Sequence, residues 1–219
     1  MSVPFVPPAP FVSIAVPDPF TVMNAVGLLA FAVAGSLKAS DAGLDAFGVA
    51  VLGVLTALGG GTVRDVLVNR PPASLTTTWD MSVALVGVAL AVILSRRASK
   101  HARVLDSRVF LVSDATGLAA FAATGALVGT RAGLAPYGVV VLAAVTAVGG
   151  GSLADVLLGR VPVVLREDFY ATPALVGGGV FLLARFAGAP SGIPSGACAG
   201  AVFAVRMLAL RYAWRLPEV

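Results

Sequence analysis

Residues 56–67 read Thr56-Ala57-Leu58-Gly59-Gly60-Gly61-Thr62-Val63-Arg64-Asp65-Val66-Leu67. Ninety positions later, residues 146–157 read Thr146-Ala147-Val148-Gly149-Gly150-Gly151-Ser152-Leu153-Ala154-Asp155-Val156-Leu157. The duplication extends outward from these stretches: residues 24–94 and 114–184 align without a gap, and 30 of the 71 aligned pairs are identical. Gly27-Leu28 and Ala30-Phe31-Ala32 return as Gly117-Leu118 and Ala120-Phe121-Ala122, and Ala42-Gly43-Leu44 returns as Ala132-Gly133-Leu134. Each copy contains three membrane-length apolar segments. An odd number inserts the second copy upside down, and inverted repeats with Gly-interrupted helices are an architecture of membrane transport proteins.

Composition sets the medium. The chain is 58% hydrophobic and 12% charged, with a mean hydropathy of +0.95. Soluble domains carry about 25% charged residues, so the chain reads as an all-α polytopic membrane protein. Its 15 Lys and Arg against 11 Asp and Glu lie in loops flanking apolar runs rather than on a basic face with interleaved aromatics. They therefore orient the chain in a bilayer and do not read as a nucleic-acid surface. The single cysteine, Cys198, excludes an internal disulfide and a thiolate metal site. The single histidine, His101, lies in a basic loop. No metal-ligand set, nucleophile–base arrangement or phosphate loop is present, so neither an enzyme nor a cofactor is expected.

A span needs about 20 apolar residues. Seven segments qualify, at 20–38, 45–68, 79–95, 109–129, 135–158, 170–187 and 193–212. The organisation is a lead-in at 1–19, a first three-helix repeat at 20–95, a basic loop at 96–108, an inverted second repeat at 109–187, a seventh helix at 192–212 and a tail at 213–219. The lead-in is Pro-rich and has no basic region, unlike a cleaved signal peptide. The 96–108 loop, Lys38, Arg160, Arg166, Arg211 and Arg215 place ten basic residues on one side, against Arg70, Arg131 and Arg185 on the other. That bias predicts an integral membrane protein with its N-terminus outside and its C-terminus cytoplasmic, the outside being the periplasm or exterior in a prokaryote or an organelle lumen in a eukaryote.

Three consecutive glycines inside a helix cost about 1 kcal/mol each relative to alanine. Gly59, Gly60 and Gly61 in span two, and Gly149, Gly150 and Gly151 in span five, read as kinks or breaks whose freed carbonyls line a cavity. Close helix packing is the competing explanation. With a kink there, leucine at Gly60 and Gly150 should lower conduction and leave folding intact. Asp65 and Asp155 lie within spans, where a charge costs at least about 2.5–3.5 kcal/mol. They face an interior path or form structural ion pairs. Asn24 and Asp114 repeat the arrangement one helix earlier; for Asp114, a helix N-cap is the alternative.

Arg64 has Ala154 as its counterpart. Neighbours on a helix point about 100° apart, so Arg64 is not expected to pair simply with Asp65. It reads as a gate or pore-tuning residue, and Asp155, with no adjacent Arg, reads as the freer charge. Thr56, Thr146, Thr62 and Ser152 offer hydroxyls either to an ion or to their own helix carbonyls. In span seven, Gly192, Gly196 and Gly200 form a small-residue face suited to close helix contact, either with the repeats or with a neighbouring subunit. Arg206, near that span's end, reads as a snorkelling side chain. Gly177, Gly178 and Gly179 read as packing residues.

The doubled Gly-Gly-Gly-x-x-(Arg)-Asp pattern resembles the TRIC family of trimeric intracellular cation channels, in particular its prokaryotic members. The resemblance covers residues 20–212. It implies seven helices per protomer, a homotrimer in membrane lipid, and a pore within each protomer lined by helices two and five. It also implies passive movement of monovalent cations, mainly potassium. Ala154, where the fuller motif has Arg, departs from a symmetric arrangement. The related association of this domain with glycine transport keeps a second possibility open: a carrier for a small zwitterion such as glycine.

Overall fold

The computed structural model describes residues 18–97, 105, 107–166, 169–190 and 192–214. The lead-in through residue 17, most of the basic loop including His101, and the tail from residue 215 lie outside the described residues. Within them the chain is all helical: α1 (Pro19–Asp41), α2 (Ala46–Leu67), a short α3 (Ala73–Thr76), α4 (Thr78–Arg97), α5 (Arg108–Arg131), α6 (Pro136–Leu157), α7 (Thr172–Phe186) and α8 (Ile193–Tyr212). A 3-10 turn at Val163–Leu165 occupies in the second repeat the place of α3 in the first. Six helices are long and apolar enough to cross a bilayer, as an integral membrane protein requires. The sixth predicted span is the shorter α7, whose 15 residues cover about 22 Å.

Local sequence accounts for the helix ends. Pro19, Pro136, Pro173 and Pro194 open their helices at the first or second position, where a missing N–H loses no helical bond. The repeated Ala-Gly-Leu stops α1 and α5. Gly43 and Gly133 take φ of +76° and +73°. Leu44 and Leu134 then donate back to Ala39 and Gly129 across a Schellman cap. The same cap ends α2 and α6, with Asn69 and Gly159 in the left-handed position and Arg70 and Arg160 donating to the Asp65 and Asp155 carbonyls.

The first two helices of each repeat pack antiparallel on their equivalents, α1 on α5 and α2 on α6. Gly27 of α1 lies against Phe121 of α5, and Gly117 of α5 lies against Phe31 of α1. The two phenylalanines meet edge to face with ring centroids 5.3 Å apart. Gly60 of α2 lies against Thr146 of α6, and Gly150 lies against Thr56. Each contact is its partner's image after a shift of 90 residues, which is the inverted-repeat fold. The interior between the repeats is built largely of alanine and glycine, which lets helix backbones approach where no water drives association.

The glycine triplets do not break their helices. The chain is continuously helical from Ala46 to Leu67 and from Pro136 to Leu157. The cost of glycine is met instead by contact: α2 and α6 cross backbone on backbone. A Cβ on Gly60 would collide with the Thr146 carbonyl oxygen, and one on Gly150 with that of Thr56. A Cβ on Gly59 would lie 3.3 Å from the Gly150 Cα, and one on Gly149 3.3 Å from the Gly60 Cα. Leucine at Gly60 or Gly150 therefore prevents this packing, contrary to the sequence expectation. In α8, Gly196 and Gly200 have open space around them, so the small-residue face does not pack on its own repeats. Gly192 takes a φ of +99° ahead of the helix. Gly177 does pack, against Val202 and Cys198 of α8, and Gly178 packs against Val140 of α6.

Candidate functional site

Two polar sites flank the α2–α6 crossing, one at each end of the bundle. Asp65 and Asp155 each lie five residues beyond the central glycine of their triplet, about 7.5 Å along the helix. Because α2 and α6 run antiparallel, the two carboxylates sit at opposite ends. Both are buried. The caps ending α2 and α6 turn the chain back toward them. Asp65 Oδ2 accepts from the Ala73 N–H at 3.0 Å, and Asp155 Oδ2 accepts from the Val163 N–H at 3.0 Å. These are equivalent residues, so the repeat carries this geometry in full.

The cation on the other oxygen differs between repeats. Arg64 Nε donates to Asp65 Oδ1 at 2.8 Å. Sequence neighbours do pair here, contrary to the helical-angle expectation. The long Arg64 side chain folds so that Nε, the near end of the guanidinium, meets the carboxylate. The same group reaches Thr124 Oγ1 on α5 at 3.4 Å and lies 5.3 Å from the Phe20 ring centre. Asp155 is not free either. Lys38 Nζ, from the last turn of α1, donates to Asp155 Oδ1 at 2.8 Å, with the two side chains 11% and 3% exposed. Ala154 therefore leaves no unfilled charge: a lysine from the other repeat takes the place of the missing arginine.

One helix earlier the exchange recurs. Asn24 Nδ2 donates to Asp80 Oδ1 at 3.0 Å. Ninety residues on, Tyr170 donates its hydroxyl to Asp114 Oδ1 at 2.9 Å. The carboxylate has changed sides within the pair. Asp114 is not an N-cap; Ser107 caps α5 by accepting from the Phe110 N–H at 3.2 Å, and Asp114 is buried within the helix. Arg206 of α8 does not snorkel outward. It is buried, with Nη1 donating to the Phe169 carbonyl at 3.0 Å, Nη2 lying 4.0 Å from Asp114 Oδ2, and its guanidinium over the Tyr170 ring.

The hydroxyls beside the glycines resolve toward their own helices. Thr56, Thr146, Thr62 and Ser152 donate to the carbonyls of Leu52, Leu142, Leu58 and Val148 at 2.6–2.9 Å. Thr62 also meets Ser74 Oγ at 3.2 Å. The spaces beside the two carboxylates differ in size. Asn24, Gly61, Thr62, Arg64, Asp65 and Asp80 surround a cleft of about 10 Å³, close to the room one water needs. Lys38, Asp114, Asp155, Arg160, Tyr170 and Arg206 surround a vestibule of about 780 Å³. Asp80 and Tyr170 carry no signal in the sequence pattern, Lys38 registers there only as an orienting charge and Arg206 only as a snorkelling side chain. Within the repeats the partners exchange chemistry, and a search for identities passes over such positions.

The family model described as glycine transporter matches residues 21–96 and 111–185, which are the two repeats. The chain superposes on the structure solved to explain conductance through TRIC cation channels, with a TM-score of 0.81 and 33% identity over 91% of this chain and 97% of that one. The chain is a prokaryotic member of the TRIC family. The TRIC orthologue from Rhodobacter sphaeroides matches with a TM-score of 0.80 and 32% identity, covering 89% of this chain and 98% of that one. Two relatives of the UPF0126 group match over most of their length. A membrane protein of Streptomyces coelicolor is 42% identical over 92% of this chain and 91% of its own length. The inner membrane protein YadS of Escherichia coli is 35% identical over 89% and 93%. Duplication, antiparallel crossing and terminal carboxylates therefore sit in a scaffold shared along nearly its whole length.

Proposed function

We propose that this TRIC-family protein is a passive channel for monovalent cations, mainly potassium, with a path inside each protomer of a homotrimer. The observation that carries the reading is the pair of buried carboxylates, Asp65 and Asp155, at opposite ends of two crossing helices. Each holds a positive charge on one oxygen and is fixed by a backbone N–H through the other. Carboxylates so placed bias the path toward cations, and burial makes the attraction count, because buried charges are screened much less than exposed ones. The proposed path runs along α2 and α6, past Asn24, Thr62, Arg64, Asp65 and, facing Gly60, Thr146 on one side of the crossing. On the other side it passes Asp155, Ser152, Asp114 and, facing Gly150, Thr56. The structural likeness to TRIC cation channels supports the same reading. The open face at Gly196 and Gly200 suits contact with a second copy, and lipid covers the remaining apolar surface.

A second reading, a carrier for a small zwitterion such as glycine, is favoured by the description of the matching family. It is also favoured by the inequality of the spaces beside the two carboxylates, one tight and one wide, since carriers expose a central site to one side at a time. Recording in planar bilayers with potassium chloride, alongside uptake of labelled glycine into vesicles, separates the two. The channel reading expects discrete current steps and no saturable glycine uptake. Saturable uptake without steps would replace it with the carrier.

Orientation is the remaining element. The ten-to-three distribution of basic residues supports a cytoplasmic C-terminus and an external N-terminus. Pro71 and Val161 are repeat equivalents, both exposed. In intact cells, an impermeant thiol reagent is expected to label Pro71→Cys and to spare Val161→Cys. Labelling of Val161→Cys alone would reverse the orientation, and equal labelling of both would contradict an inverted repeat.

A further inference from the structure

The two carboxylates are held alike by one oxygen and differently by the other. At Asp65 the cation is fixed: Arg64 is tied at once to Asp65, Thr124 and the face of Phe20. At Asp155 it is an ammonium on a flexible four-carbon stem, a compact charge with rotatable donors rather than a rigid planar fork. The repeat counterpart of Lys38 is Val128, which is buried. Packing at this position is therefore satisfied by an apolar residue, and the lysine serves something else. It rises from the last turn of α1, beside the C-terminal carbonyls, where a cation is also favoured. The ammonium thus has two places to sit, one on Asp155 and one at the end of its own helix. The Asp155 pair borders the wide vestibule, whereas the Arg64 pair borders the tight cleft.

We propose that Lys38 is a tethered cation that competes with the permeating cation for Asp155, and so gates the wide end. The inference rests on the conduction reading above and adds the identity of the residue that regulates it. Two like charges cannot share one carboxylate oxygen at contact distance without strong repulsion. While the ammonium is on Asp155 Oδ1, a monovalent cation is excluded. When it moves toward the α1 terminus, the oxygen is free for the ion, with Oδ2 still held by Val163.

Lys38→Met removes the competitor and leaves the stem's apolar bulk. Potassium flux into vesicles per folded protein is expected to rise several-fold. Asp155→Asn is expected to lower it, and Lys38→Met/Asp155→Asn is expected to show none of the gain, because the gain requires the carboxylate. A lysine that only braces the fold predicts the opposite: lower stability and no gain. To separate charge from folding, Lys38→Cys in a Cys198→Ala background is modified after reconstitution. An aminoethyl thiol reagent, which restores the ammonium, should reduce flux relative to a neutral methyl reagent. Flux of Lys38→Met at or below the unsubstituted protein, or equal flux with charged and neutral adducts, overturns the proposal. If the unsubstituted protein takes up labelled glycine without current steps, the conduction reading falls. The same variants are then read on uptake: an Asp155-dependent gain in Lys38→Met upholds the competition, since glycine carries its own ammonium, and equal uptake overturns it.

Discussion

Gly60→Ala and Gly150→Ala are each expected to destabilise the protein by about 3 kcal/mol or more, the upper range for forcing an extra methyl group into a packed interior. The added methyl group meets the Thr146 or Thr56 carbonyl, a backbone atom that cannot rotate aside. It can move only if α2 and α6 separate, and separation opens the crossing along both helices. Gly61→Ala is the control. A Cβ there meets nothing nearer than Arg64 Nη2 at 3.7 Å, so it should gain about 1 kcal/mol of helix propensity. Thermal melts of purified protein, read with size-exclusion profiles, check the set. A Gly60→Ala protein that melts with the unsubstituted one would mean that the helices do not cross at the glycines.

Asp65→Ala is expected to cost roughly 3–5 kcal/mol, the range for removing one partner of a buried ion pair. It strands the Arg64 guanidinium, which is 2% exposed, and takes the acceptor from the Ala73 N–H. Arg64→Leu/Asp65→Ala should recover most of that loss, because no unpaired charge is left behind. The coupling measured by the double-mutant cycle should be large. Additive single effects would show that Arg64 finds an equal partner elsewhere, and the Arg64–Asp65 pair would then not hold this end of the bundle.

Much of this fold is legible in the sequence because it was duplicated. Repeat identity marks what both copies need: Ala-Gly-Leu for the helix cap, Gly-Gly-Gly for the crossing, and Asp for the turn that follows. The meaning of the triplet was less accessible. Glycine is the residue of a broken helix and equally of two helices in backbone contact, and only the position of Thr146 and Thr56 across the interface decides between them. The charge partners were hidden for another reason. Lys38 reaches Asp155 across 117 residues, and no local spacing announces such a contact. Asn24–Asp80 and Tyr170–Asp114 are equivalent as pairs although no single residue in them is conserved between repeats. Duplicated proteins can preserve an interaction while exchanging which side supplies each group, and one-residue comparison does not register that. The open face of α8 illustrates the remaining limit: small residues at helical spacing announce contact without naming the surface contacted.

The central claim is that cations pass a protomer by way of Asp65 and Asp155, although Lys38, Arg160, Arg166 and Arg206 share the wide vestibule. The sign of selectivity tests that claim most directly. The measurement is the reversal potential of single-channel current in a bilayer separating unequal potassium chloride solutions. Reversal close to the potassium equilibrium potential is the predicted result, with Lys38 and Arg206 facing Asp155 and Asp114 and the carboxylates setting the sign. Reversal near the chloride potential, or at zero, would contradict it, since the basic wall rather than the repeated aspartates would then decide what passes.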